Sequence, residues 1–220
     1  MIIAIDGPAA SGKSTISKTL AQKLSFIYFS TGTMYRAITA YFLINNFINK
    51  KEKILSELKN IRLDICNIDL NNIKVNDSDY SKFYYSPEVN KNISDISSIL
   101  EVRNKMVALQ RQVSNNTNLV CEGRDIGTVV FPNAEFKFYI DADVECRVNR
   151  RYSEISKNKQ SLLNKDELKK LLINRDYIDK NREVSPLKVA NDAFHIDTTN
   201  LSINEVVNIM YNKINGVPNK

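Results

Sequence analysis

Gly7, Gly12, Lys13 and Ser14 stand at the spacing G-x-x-x-x-G-K-[ST], with Pro8, Ala9, Ala10 and Ser11 between the glycines and Thr15 directly after. A polyphosphate carries several negative charges and needs many donors within a small space. Glycines let backbone N–H groups turn inward on the anion, a helix start adds the positive end of its dipole, and Lys13 adds a point charge. The Ser14 hydroxyl is placed to hold Mg2+. More cations follow at later breaks in the hydrophobic pattern: Arg36, Arg103, Arg124, Arg175 and Arg182. Guanidinium groups grip phosphate bidentately and stay charged at every physiological pH. One such arginine is ordinary surface, but a whole set in a chain built for polyphosphate fits a second anion held end to end with the first. Phosphoryl transfer asks little covalent chemistry of a protein, so cationic positioning is most of the catalysis.

The elements that must position these groups follow from periodicity. Residues 2–6 are apolar and β-branched and read as a buried strand. A helix is expected over about 13–24, with Ile16, Leu20 and Leu24 on one stripe. A short strand at 26–29 leads into a turn at 30–33, a helix over 34–47 and another near 52–58. From about residue 60 the texture changes: Ile61, Leu63 and Ile65 alternate with polar residues, and Ile73-Lys74-Val75 repeats the pattern. Alternation with tight polar turns means antiparallel strands, so residues about 60–85 read as an inserted β-rich lobe. Ser86-Pro87 restarts helix, which continues with interruptions to about 113. Buried strands are expected at 119–122, 136–141 and 193–197. Helices are expected at 144–152, carrying Arg147, Arg150 and Arg151, at 165–180 and at 201–214. The polar stretch 153–160 reads as a flap within a lid of about 152–163. The fold class is α/β: one domain over 1–220, a phosphate-loop parallel sheet wrapped by helices with one small antiparallel insertion.

Composition narrows the classes. A hydrophobic content of 43% and a charged content of 25% are those of a globular protein with a real core. The net charge of +6 suits anionic small molecules, and no long Lys/Arg block argues for nucleic acid. Cys66, Cys121 and Cys146 are odd in number and far apart, which suits reduced thiols in the cytoplasm rather than a disulfide frame. With the first strand opening at residue 2, neither a signal peptide nor a membrane span is expected, and no heptad suggests more than a monomer. A guanine-reading switch would show N-K-x-D after a strand; the nearest string, Asn164-Lys165-Asp166-Glu167, lacks the final Asp. Residue chemistry alone leaves open a nucleoside-monophosphate kinase, a kinase for another small acceptor such as UMP, AMP or shikimate, and a nucleotide-dependent switch.

Beyond the phosphate loop, Thr31-Gly32-Thr33-Met34-Tyr35-Arg36, Ser86-Pro87-Glu88-Val89, Val102-Arg103 and the specific string Gly123-Arg124-Asp125-Ile126-Gly127-Thr128-Val129-Val130-Phe131-Pro132 resemble the bacterial cytidylate kinase family. So do Arg147 with Arg150-Arg151, Asn174-Arg175-Asp176, residues 179–182, and Asp197-Thr198-Thr199. The resemblance covers nearly the whole chain in order. It implies transfer of the γ-phosphoryl of ATP to CMP or dCMP with Mg2+, giving ADP and CDP or dCDP, in pyrimidine nucleotide metabolism. It also implies that Ser94, Arg103 and Asp125 read the cytosine edge, that Thr31, Arg175 and Asp179 meet the ribose, and that Arg36, Arg124 and Arg182 surround the acceptor phosphate, with Tyr35 beside them. Arg147, Arg150 and Arg151 would flank the lid and approach the transferring phosphoryl. Three positions depart from the family pattern: Ser30 for Asp, Tyr85 for Arg and Asn133 for Asp. The lone His195 is expected to be a packed or satisfied strand residue rather than a catalytic base.

Overall fold

The computed structural model describes residues 1–66, 69–114, 117–157 and 164–216. Strand β1 (Ile2–Asp6) is buried on both faces, as its uninterrupted apolar run requires. Around it lie β2 (Ile27–Ser30), β6 (Leu119–Gly123), β7 (Phe136–Asp141) and β8 (Phe194–Asp197), in the order β2-β6-β1-β7-β8. The β1–β6, β1–β7 and β7–β8 pairs are parallel, with Asp6 opposite both Gly123 and Tyr139. The chain divides into two compact units, Met1–Tyr28 with Thr117–Lys220, and Phe29–Asn116.

In the first unit, helices α1 (Lys13–Leu24) and α8 (Ile203–Ile214) bury Ile16, Leu20, Val206 and Met210 against Ile3, Ile5, Val120, Phe138 and Ile140 of the sheet. Helix α6 (Val144–Lys157) packs on α7 (Lys165–Asn181) through Val148, Leu168 and Leu172. The flap expected at 153–160 is therefore helical as far as Lys157. Residues 158–163 of the expected lid lie outside the described residues. The string from Asn164 to Glu167 is a reciprocal helix-start box: the Glu167 amide donates to Asn164 Oδ1 (2.9 Å), and the Asn164 amide donates to Glu167 Oε2 (3.1 Å).

In the second unit, α2 begins at Thr31 and runs to Ile44, three residues ahead of the expected start. Thr31-Gly32-Thr33 reads locally as a turn, but Ser30 is already extended, and burying Thr31, Met34 and Tyr35 favours helix from there. Helix α3 (Lys51–Leu58) follows. The insertion is an antiparallel sheet of β3 (Leu63–Ile65), β4 (Ile73–Val75) and β5 (Ser78–Asp79), pairing Leu63 with Val75 and Lys74 with Asp79. Helix α4 (Pro87–Ser98) is capped by the Ser86 hydroxyl, which accepts from the Val89 amide at 3.2 Å, and Ile99 breaks it from α5 (Leu100–Val113). Among the described residues no helix is long and apolar enough to cross a membrane.

Candidate active site

The carboxyl ends of β1 and β6 are where an open parallel sheet offers a ligand site. Gly7 turns the chain out of β1 at φ 151°, and a Cβ there would lie 2.0 Å from the Ile140 carbonyl oxygen, so only glycine fits. Gly12, at φ 92°, starts α1. Lys13 folds back over the loop it ends: Nζ donates to the Pro8 carbonyl at 2.7 Å and lies 3.5 Å from Ser11 Oγ. Burial, then the neighbouring Arg124, depress its pKa to about 7 against the pull of Glu122. The exposed Ser14 donates its hydroxyl proton to Oε1 of the buried Glu122 at 3.1 Å.

The loop is gripped from outside by two arginines one helical turn apart on α6. Arg147 Nη1 donates to the Ala9 carbonyl (3.1 Å) and to Asp176, whose Oδ1 accepts from the Ala9 amide (3.3 Å). Arg150 Nη1 donates to the Ser11 carbonyl (3.2 Å) and Nη2 to the Thr198 carbonyl (2.6 Å). Both guanidiniums thus bind phosphate-loop backbone. Arg151 pairs with Glu154 on the same helix at 2.8 Å.

After β6 the chain presents Arg124 and Asp125, then makes one π-helical turn, Ile126–Val130. Arg124 Nε donates to Asp179 Oδ2 at 2.8 Å. Arg182 lies 3.6 Å from Asp179 Oδ1 and 3.7 Å from Asp125 Oδ1. Burial works against the Asp179 charge, yet Arg124, Arg175 and Arg182 outweigh it and hold its pKa below the usual carboxylate value. Burial likewise opposes the charge on Arg124, but Asp179 keeps its pKa raised. The result is a buried cationic cluster around one carboxylate, beside the phosphate loop and able to hold a second phosphate.

The remaining expected site residues lie in the second unit. Arg36 Nη1 donates to the Tyr84 carbonyl (2.6 Å) and Asn90 Oδ1 (2.8 Å), and its guanidinium stands over the Tyr85 ring at 4.7 Å. Arg103, 1% exposed, donates to the Ser97 carbonyl at 2.9 Å and lies over the Tyr35 ring at 5.3 Å. Thr31 opens α2, and Ser94 is buried on α4. Of the departures, Tyr85 is thus in contact with Arg36, Ser30 is the extended residue directly before α2, and Asn133 is exposed. His195 is on the exposed side of the edge strand β8, edge-on to Tyr139.

A family model described as cytidylate kinase matches residues 3–216. The chain belongs to the cytidylate kinase family. A cytidylate kinase of Fusobacterium nucleatum is 47% identical over 218 residues, covering 99% of this chain and 98% of the relative. One of Clostridium botulinum is 45% identical over 205 residues, covering 93% of each. A solved shikimate kinase from Bacteroides thetaiotaomicron is 11% identical with a TM-score of 0.50, covering 98% of both chains, which is a likeness of fold alone.

Within this cytidylate kinase framework, three acidic residues have no site role expected from the sequence. Asp6 ends β1, Glu122 is the last residue but one of β6, and Asp176 lies within α7. An acidic residue closing an apolar strand beside a phosphate loop is a signal for the first two. Asp176 closes the Asn174-Arg175-Asp176 string, but nothing local marks its pairing with Arg147, 29 residues away.

Proposed function

We propose that this chain transfers the γ-phosphoryl group of ATP to CMP or dCMP, with the donor on the phosphate loop and the acceptor phosphate at the Arg124–Arg182 cluster. The observation that carries the reading is the pairing of Lys13 with that second cationic cluster around the ends of β1 and β6, in a chain of the cytidylate kinase family. Lys13 neutralises the β- and γ-phosphates in transit. Arg124 and Arg182 screen the acceptor phosphate, so that two anions approach despite their repulsion. Arg147 and Arg150 hold the loop's backbone, and its amides are therefore set before the donor arrives. Ser14 and Glu122, a hydroxyl and a carboxylate 3.1 Å apart, fit a hard cation and would hold Mg2+, which when bound neutralises charge between the phosphates. Thr31, Tyr35, Arg36, Ser94 and Arg103 keep the substrate-binding roles that the family resemblance implies. A coupled assay of ADP release against CMP, dCMP, UMP, AMP and shikimate tests the function: the two cytidine nucleotides lead, and an equal or greater rate with any other acceptor overturns it.

Base choice is assigned to Asp125. An ionised carboxylate only accepts, so it favours cytosine's amino group over the carbonyl that uracil carries there. Asp125→Asn is expected to lower kcat/KM for CMP by roughly one to three kcal/mol in transition-state terms, while UMP loses less or gains. Loss by one common factor would mean that Asp125 only orients Arg182, its neighbour at 3.7 Å.

The antiparallel insertion is read as an element that responds to the acceptor nucleotide. CMP should slow hydrogen exchange in residues 60–66 and 69–85 and at the start of α4, and ATP alone should not. Unchanged exchange with saturating CMP would remove the insertion from the binding site.

A further inference from the structure

Asp6 is the last residue of the central strand, 5% exposed, with a side chain that faces no phosphate-loop amide. Its Oδ1 accepts from the Ile126 amide and its Oδ2 from the Gly127 amide, each at 2.8 Å. The backbone of the same residue lies opposite Gly123 in the β1–β6 ladder. Arg124 and Asp125 are therefore a two-residue span pinned at both ends by Asp6, through the sheet before them and through the carboxylate after them. The fit on the far side is close: a Cβ on Gly127 would lie 3.4 Å from Asp6 Oδ2 and 3.2 Å from Lys137 Cδ. Burial raises the Asp6 pKa to about 7, against the two amides that favour the charge. A neutral cap of one acceptor would avoid that burial cost but leave one of two consecutive buried N–H groups without its oxygen.

We propose that Asp6 is a positioning residue for the acceptor: it sets the register of Arg124 and Asp125 and so governs cytosine preference without touching the nucleotide. The proposal rests on the reading of Asp125 as the partner of the cytosine amine. An Asn at position 6 keeps the shape but turns an NH2 toward one of the two donors. The span would then shift while the sheet and the phosphate loop keep their own contacts.

Asp6→Asn is expected to raise the KM for CMP and lower the CMP-over-UMP ratio of kcat/KM by about tenfold each, with the KM for ATP moving less than about threefold. In an Asp125→Asn background the same change should move the ratio less than about twofold, because both act through one contact. Equal losses on CMP and UMP, or effects that multiply independently, would overturn the proposal. If Asp125→Asn leaves the ratio unmoved, the base reading fails instead, and the split between the KM values for CMP and ATP then decides the role of Asp6. Should the variant not fold, hydrogen exchange on the wild-type protein decides. The Ile126 and Gly127 amides should exchange as slowly as the β1 amides, and fast exchange at either would remove the tether.

Discussion

Lys13→Met is expected to lower turnover by at least roughly 1000-fold while the unliganded protein melts higher than the wild type. Both effects have one origin. Lys13 is 4% exposed, and among the described residues its ammonium group donates to the Pro8 carbonyl and toward the Ser11 hydroxyl, an arrangement that suits a phosphate chain yet to arrive. Without that chain, burial and the adjacent Arg124 push its pKa from 10.5 to about 7. Between those values the unfolded chain binds more protons than the folded one, so wild-type stability rises with pH across the window. Methionine has similar bulk and no charge, and its melting curve lacks this slope. The gap between variant and wild type should be widest below the folded pKa of about 7 and close only above the unfolded value of 10.5. ATP restores negative charge beside Lys13, so at about pH 8 nucleotide binding takes up a proton in the wild type and not in the variant. Calorimetry in buffers of different ionisation enthalpy measures the uptake. Near-normal turnover by a folded Lys13→Met protein would remove the lysine from the phosphate site.

The strand–loop–helix unit around Lys13 was legible because local chemistry and tertiary role coincide there: β1 and α1 occupy 2–6 and 13–24, as their periodicity requires. The insertion was legible for a similar reason, since alternation at Ile61, Leu63 and Ile65 has no place in a parallel fold. Helix ends were less so. Ser153, Glu154 and Ser156 are exposed on α6, and solvent-facing helix and loop share a polar composition. In the site, residue types were readable and their partners were not. The sequence offers Arg124 as a candidate phosphate cation, but its carboxylate, Asp179, is 55 residues away on α7. Arg147 and Arg150 reach loop carbonyls only because α6 docks along the loop, a relation that no motif encodes.

Asp179 yields the second large effect. Its two oxygens face Arg124 at 2.8 Å and Arg182 at 3.6 Å, with Arg175 near enough to help hold it ionised. It is the carboxylate that Arg124 and Arg182 share. Asp179→Asn keeps the shape and removes that charge, leaving Arg124 buried without its counter-ion. Breaking a buried pair from one side costs about 3–5 kcal/mol, a large share of the total for a domain of ordinary stability, on the order of 5–15 kcal/mol. At roughly 2–4 °C per kcal/mol, the melting temperature should fall by about 10 °C. Since the folded pKa lies below the unfolded value of 3.8, the wild-type contribution is complete above that value. It disappears as pH falls further, through the folded pKa, so the two melting curves should converge in strong acid. Anions supply a second check. Inorganic phosphate offers the cluster the charge that the variant lacks, so it should raise the melting temperature of Asp179→Asn more than that of the wild type. Equal phosphate shifts together with an unchanged melting temperature would mean that Asp179 is not the counter-charge, and the cationic cluster would have to be held by other groups.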